Sequence, residues 1–385
     1  MTAFTAEPMT EPMTAFTAEP MTDGFDDMLL FDEGDGDDRL YEHLRMVVDR
    51  GQVSVRIDKY MSEHVPHSSR NRIQKAADAG FIRVLTDDDA RQGREAKAVK
   101  SNYKVRPGDT ILLMLNRPHY DTTIEAEDIP LDVAYEDDHV LVINKPAGMV
   151  VHPGCGNFHG TLVNAVAWHL RDLPSYDPND PSVGLVHRID KDTSGLLVVA
   201  KTPEAKTELG AQFFNHDTHR SYQALVWGNF SEDSGRIEGN IARDPRERQR
   251  MTVFPPGSEV GKPAVTHYRV LERYGYTTLV ECRLETGRTH QIRAHMKHIG
   301  HPLFADERYG GMELLRGERT ASYKAFIQNC FKLCPRQALH ARTLGFVHPA
   351  TGQQMDFTAP LPPDMAALIE KWRGLMAVRN SGTPE

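Results

Sequence analysis

The chain has 385 residues, 39% hydrophobic and 26% charged; this balance supports buried cores, and the length exceeds what a single core usually fills. No apolar run approaches the span of a bilayer, the N-terminus carries neither a basic nor an apolar targeting region, and the cysteines Cys155, Cys282, Cys330 and Cys334 are too few for a disulfide scaffold, so a cytoplasmic protein with no membrane contact is expected. The net charge of −9 argues against a nucleic-acid partner only if it is spread evenly, whereas residues 1–40 hold eleven acidic side chains and one basic one, leaving 44 basic against 43 acidic elsewhere.

Residues 1–40 contain MTAFTAEPMT twice, at 1–10 and 13–22, then the acid- and glycine-rich run Asp23–Asp38, and are expected to form a disordered acidic tail. Residues 41–118 read as a first compact unit. Ser69 suits an N-cap, Ile73, Ala76 and Ala77 share a helical face, and Gly80 ends the helix. Phe81–Leu85 and Val105–Leu115 read as strands, the second interrupted by the turn Pro107-Gly108-Asp109. From Gly51 to Pro118 there are thirteen Lys and Arg against eight Asp and Glu. Such an excess suits a phosphate-binding module, although a solvated charged face has the same composition. The polar segment 119–130 is taken as a linker.

Residues 131–373 open with strands at Asp132–Tyr135 and His139–Asn144 around the turn Glu136-Asp137-Asp138, closed by Lys145-Pro146-Ala147-Gly148. Gly154, Gly156 and Gly160 lack the spacing of a dinucleotide fingerprint and fit a loop before a helix at Thr161–Leu170. The segment GLVHRIDKDTSGLLVVAK, Gly184–Lys201, reads as a β-hairpin with Asp190 at its tip. Arg188 and Lys191 flank that carboxylate and favour its ionised form, which suits a nucleophile or a base; an ordinary turn aspartate is the plainer alternative.

In the strand Arg220–Gly228, Tyr222, Ala224 and Val226 share one face and Gln223, Leu225 and Trp227 the other. Tyr222 is then either a core residue or, beside Asp190, a stacking surface for a nucleobase. In Leu284–Gly310, Thr289 is a candidate N-cap for a helix that buries Ile292, Met296 and Ile299, stops at Gly300, and points Arg288 and Arg293 at an anion. His290, His295, His298 and His301 are spread around that helix and past its end, so no metal is expected. Residues 312–328 suit a helical insertion or an RNA-contact element, and 374–385 a frayed tail.

Two resemblances organise these motifs. Arg56-Ile57-Asp58-Lys59, Ser69-Arg70-Asn71-Arg72-Ile73, Gly80–Val84 and Val105–Ile111 resemble, in order, an S4 RNA-binding domain, with a departure after Val84 where that family usually has a short Asn-Gly hairpin. This implies RNA binding through Arg56, Lys59, Arg70, Arg72, Lys75 and Arg83. His187-Arg188-Ile189-Asp190 with Thr193-Ser194-Gly195, Arg220-x-Tyr222, Thr286–Arg293, Gly300-His301-Pro302, Asp306, Tyr309-Gly310 and Leu339-His340-Ala341 resemble the RluA class of pseudouridine synthases over roughly 131–365. That resemblance implies an α+β fold with a mixed, largely antiparallel sheet and a central cleft. It also implies isomerisation of uridine in 23S-type ribosomal RNA without a cofactor, by a monomer. Asp190, paired with Arg293, would carry the chemistry, Tyr222 would stack on the base, and Arg188 would fill the space that an extruded base leaves. An inactive RNA-binding or ribosome-assembly factor on the same scaffold, and a base-excising glycosidase, are the rival readings.

Overall fold

A computed structural model describes residues 40–65, 70–115, 124–153, 157–177, 180, 182–247 and 249–381. The acidic tail up to residue 39, Ser69, Gly154, Gly156 and residues 119–123 of the 119–130 linker lie outside them.

Four strands, β1 (Tyr41–Val47), β2 (Ile82–Leu85), β3 (Lys97–Ala98) and β4 (Thr110–Leu115), form an antiparallel sheet in the order β1-β4-β2-β3. Helices Ile57–His64 and Arg70–Asp78 bury Ile57, Tyr60, Met61, Ile73, Ala76 and Ala77 with Ile82, Val84 and Ile111. Gly80, at φ +78°, ends the second helix in the left-handed conformation that glycine adopts without strain. After β2, where the S4 pattern is broken, Thr86 accepts from the Asp89 N–H and caps a short helix, Asp87–Arg91. Three acidic residues in the first turn of that helix favour it over a hairpin.

The remaining strands are β5 (Val133–Glu136), β6 (Val140–Lys145), β7 (Ser194–Ala200), β8 (His219–Trp227), β9 (Ser234–Arg243), β10 (Met251–Phe254), β11 (Lys262–Arg273), β12 (Thr277–Leu284), β13 (Leu339–Val347) and β14 (Gln354–Thr358). They build one ten-stranded sheet in the order β10-β9-β11-β12-β8-β13-β7-β6-β5, with β14 paired to β13. All pairs are antiparallel except β13 with β7, so the sheet is mixed and largely antiparallel, as expected. The parallel contact spans only His340↔Ser194 and Ala341↔Gly195, beyond which β14 takes the place beside β13 and the sheet forks. Gly195 is required there: a Cβ at its φ of +116° would fall 2.2 Å from the Ala341 carbonyl oxygen.

The alternation in β8 sorts the two faces. Tyr222, Ala224 and Val226 join a core with the helix Leu162–Leu170, while Leu225 and Trp227 join another with the helices Ala321–Leu333 and Pro363–Ser381. Thr161 and Asn164 cap the helix Leu162–Leu170 reciprocally. The C-terminal helix runs through Ser381, not into a frayed tail from 374, because Leu375 and Met376 pack on the second core. Residues 321–328 of the expected insertion are the first turns of the helix Ala321–Leu333.

Candidate active site

Asp190 lies on the segment that enters β7 at the fork, and its setting is half a hairpin. Its second arm is β7, but the first makes only one bridge, Leu185↔Val199. Further along, the Val198 N–H donates to Nε2 of His187, so a side chain stands where a partner carbonyl would be and residues 186–190 leave the ladder. His187 and Ile189 turn inward while Arg188 is exposed. Backbone bonds close the turn, with Thr193 N–H donating to Asp190 O.

Cations clamp the loop carbonyls. Nζ of the fully buried Lys145 donates to the oxygens of Pro146 (2.7 Å), Met149 (2.8 Å) and Lys191 (2.9 Å), using all three of its protons. Burial pushes its pKa down to about 7, against the attraction of Asp190 and Asp192. Nη1 of Arg336 donates to Asp192 O at 2.9 Å while its other nitrogens hold Asp364. Neither residue stood out in the sequence. A lysine ending the buried strand Val140–Lys145 was the available signal.

Arg293, on the helix Gln291–His298, is 7% exposed and meets two carboxylates. Its Nη1 donates to Asp190 Oδ2 at 3.0 Å, while Nε and Nη2 reach Asp306 at 2.7 and 3.0 Å. The pairing with Asp190 is therefore a single bond, and the fork is spent on Asp306, whose side chain is 0% exposed. Asp306 also accepts from the Tyr309 N–H. Burial works against ionisation of Asp190, whose side chain is 21% exposed, but His290, Arg293 and Arg188 outweigh it and hold the carboxyl below its ordinary value. The share of His290 exists only while its ring is charged. Burial pushes its pKa down to about 4, so near neutral pH the cation that holds Asp190 ionised by direct contact is Arg293.

The other sequence expectations divide. Tyr222 is 7% exposed and packed in the first core, with its phenol pKa raised by burial and by Asp190, so it is a core residue within electrostatic reach of the carboxylate. Among the described residues Arg288 pairs with no carboxylate; its Nε donates to the Pro263 carbonyl. Thr289 is not the cap: the N-cap is His290 in a left-handed conformation, and Gln291 Oε1 accepts from the Arg288 N–H and the Thr286 hydroxyl. Gly300 does follow the helix at φ +81°. Among the described residues no group of three or more His, Cys, Asp or Glu could hold a metal ion, and Cys282, Cys330 and Cys334 are buried free thiols.

In the N-terminal unit, Arg56 and Arg70 converge on buried Asp58, which also accepts from Gln74 and the Lys59 N–H and is held down to about 2. Lys59 and Lys75 are exposed and Arg83 is half-buried, while the side chain of Arg72 lies outside the described residues.

One ionised carboxylate, held by a buried guanidinium beside a fork in a mixed sheet, is the arrangement of an enzyme that works by nucleophilic or acid–base chemistry. The RNA pseudouridylate synthase family model matches residues 139–298. An uncharacterised RNA pseudouridine synthase of Chlorobaculum parvum is 44% identical over 338 residues, covering 87% of this chain and 99% of its own. Ribosomal large subunit pseudouridine synthase D of Nitrosomonas europaea is 42% identical over 332 residues, covering 86% and 88%. The chain belongs to the RNA pseudouridine synthase family, in its RluA class, and is an isomerase of uridine in RNA.

Proposed function

We propose that this enzyme converts specific uridines of large-subunit ribosomal RNA to pseudouridine in the cytoplasm, as a single chain, with Asp190 as the essential carboxylate. The observation that carries the reading is the contact of Asp190 with Arg293, which leaves an ionised oxygen on a loop clamped at the two carbonyls that follow Asp190. Relatives named ribosomal large subunit pseudouridine synthase D, from Nitrosomonas europaea and Zymomonas mobilis among others, support the choice of RNA.

The reaction breaks the bond from C1′ to N1, turns the base, and bonds C5 to C1′; the C5 proton leaves and N1 gains one. The atoms of substrate and product are the same, and no electrons pass to another molecule. The chemistry therefore calls for no cofactor. Asp190 attacks C1′ or removes the proton from C2′, and either role needs the carboxylate that Arg293 maintains. A paired uridine must leave its stack to reach this loop, and Arg188, exposed and two residues before Asp190, is proposed to occupy the vacated space. Tyr222, in the core within electrostatic reach of Asp190, is proposed to stack on the target base, with a phenol whose pKa is raised by burial.

The N-terminal unit is proposed as an S4-type module that grips RNA phosphates. Arg56 and Arg70, pinned by Asp58 yet about half exposed, present guanidinium groups whose orientation is fixed before RNA arrives. Lys59, Arg72, Lys75 and Arg83 are proposed to add to this basic surface.

Nucleoside analysis of ribosomal RNA from a strain lacking the gene, before and after incubation with the enzyme, tests the reading. Pseudouridine in RNA of unchanged mass is expected. An abasic sugar would indicate a glycosidase, and unmodified uridine a binding factor.

A further inference from the structure

His290 faces the carboxylate of Asp190 but makes no hydrogen bond to it: Nε2 lies 4.0 Å from Asp190 Oδ2, beyond bonding distance. Its other nitrogen, Nδ1, is 3.1 Å from the hydroxyl of Tyr309. That hydroxyl is buried and accepts the Met251 N–H at 2.9 Å, so its own proton has one acceptor among the described residues, Nδ1 of His290. A neutral imidazole that accepts at Nδ1 carries its proton on Nε2. The ring is neutral near pH 7, because burial, helped by Arg293 and Arg308, pushes its pKa down to about 4 against the attraction of Asp190 and Asp306. The structure thus presents a donor beside the carboxylate, 13% exposed and without a hydrogen-bond acceptor among the described residues.

The backbone supports the same placement. His290 is at φ 52°, ψ 23°, a left-handed conformation that costs a non-glycine residue and persists where its surroundings over-determine it. Gln291 supplies that determination, bonding Thr286 and Arg288 through its oxygen and Val265 and Thr266 through its nitrogen. The strain places one imidazole next to one carboxylate.

We infer that His290 is a further substrate-contacting residue, whose Nε2–H donates to a uracil oxygen of the target nucleotide as the glycosidic bond opens, with Tyr309 as its positioning residue. The inference rests on the proposed role of Asp190 at the ribose. When the bond from C1′ to N1 breaks, both electrons stay with the uracil, and the negative charge spreads over N1, O2 and O4. C1′ is compensated by a bond to Asp190 or by loss of the C2′ proton to it. Uracil O2 is three bonds from C1′, so a group 4.0 Å from one oxygen of the carboxylate that meets the ribose can reach it. His290 transfers no proton in this step and leaves the balance of the reaction unchanged.

Single-turnover rates at saturating full-length enzyme test the inference, for wild type, His290→Ala, His290→Gln and Tyr309→Phe. The substrates are ribosomal RNA carrying uridine and the same RNA carrying 5-fluorouridine, whose base leaves as a more stable anion; loss of the starting nucleoside is the readout. His290→Ala is expected to slow the uridine reaction by about 100-fold with unchanged RNA binding, the effect typical of removing one such donor. Gln carries an amide N–H near the Nε2 position and is expected to recover about tenfold of that loss, with Tyr309→Phe falling between Ala and wild type. The deficit of the Ala variant should shrink on 5-fluorouridine. A purely structural histidine would slow both substrates equally, show no rescue by Gln and lower the melting temperature in proportion; that pattern, or a fully active Ala variant, overturns the inference. A wild-type enzyme inactive on both RNAs would instead overturn the proposed function itself.

Discussion

Replacing Arg293 removes the only direct side-chain donor to Asp190 among the described residues. Arg293 makes three charge-assisted bonds, two to the fully buried Asp306 and one to Asp190, which is 21% exposed. In Arg293→Lys one ammonium cannot span both carboxylates. It is expected to stay with Asp306, because leaving the deeper charge unpaired costs more. Losing two of the three bonds, at about 1.5–3 kcal/mol each, sets a destabilisation of roughly 3–6 kcal/mol, within what a domain can lose and still fold. In Arg293→Met both carboxylates lose the cation, and the fall is larger. The carboxyl of Asp190, now depressed, should then rise. Activity needs the ionised form and is lost as pH falls through that pKa, so the acid limb of the single-turnover rate moves to higher pH in Lys and further in Met. The rate on the plateau should fall by about 100-fold for Lys through misorientation and further for Met. The assay is single-turnover conversion across pH 4–8 (about that range, where Asp and His groups titrate) with RNA binding measured in parallel. An Arg293→Met enzyme with wild-type rate and an unmoved acid limb would refute the pairing.

Asp306→Asn should act in the opposite sense on the limb: with one counter-charge gone, Arg293 serves Asp190 alone and the limb moves down or stays, while the plateau falls because the fork is no longer held; an upward shift would contradict this. Removing residues 1–118 should weaken binding to structured ribosomal RNA and flatten its dependence on salt, while removing 1–38 alone should not; equal salt slopes for the full chain and the larger truncation would place the phosphate contacts elsewhere. Asp58 is buried, and its depression from 3.8 to about 2 corresponds to about 2 kcal/mol of folding stability at neutral pH. Because the folded value is the lower one, that stability is present above about pH 4 and is lost as pH falls towards 2, so Asp58→Asn should destabilise the N-terminal unit at pH 7 and much less near pH 2; equal loss in urea unfolding at both would refute it.

Local signals in the sequence were readable where the physics is local. Thr161 before an apolar run, Gly80 and Gly300 after one, and the two-residue period of β8 depend on neighbours a few positions away. Asp190 and Arg293 were picked out through the family resemblance, and they meet across a separation of 103 positions. What the sequence hid was the division of labour between charges. Lys145 and Arg336 look like ordinary polar residues until the sheet order brings Lys191 and Asp192 over them, and Asp306, matched in the family pattern, has no visible role until Arg293 is seen to lie between two carboxylates. His187 was also unreadable, since an imidazole replacing a backbone carbonyl has no periodic signature. The end of the C-terminal helix is not legible in the sequence because Leu375 and Met376 pack on a core whose other members, such as Leu279, lie far back in the chain.

The central claim is that Asp190 is the carboxylate on which conversion depends. Asp190→Asn keeps the shape of the loop and an oxygen for Arg293 while removing the charge, so pseudouridine formation in ribosomal RNA should fall below about a thousandth of the wild-type single-turnover rate, with RNA affinity nearly unchanged. Retained conversion above that level, by an enzyme shown free of wild-type contamination, would contradict the account.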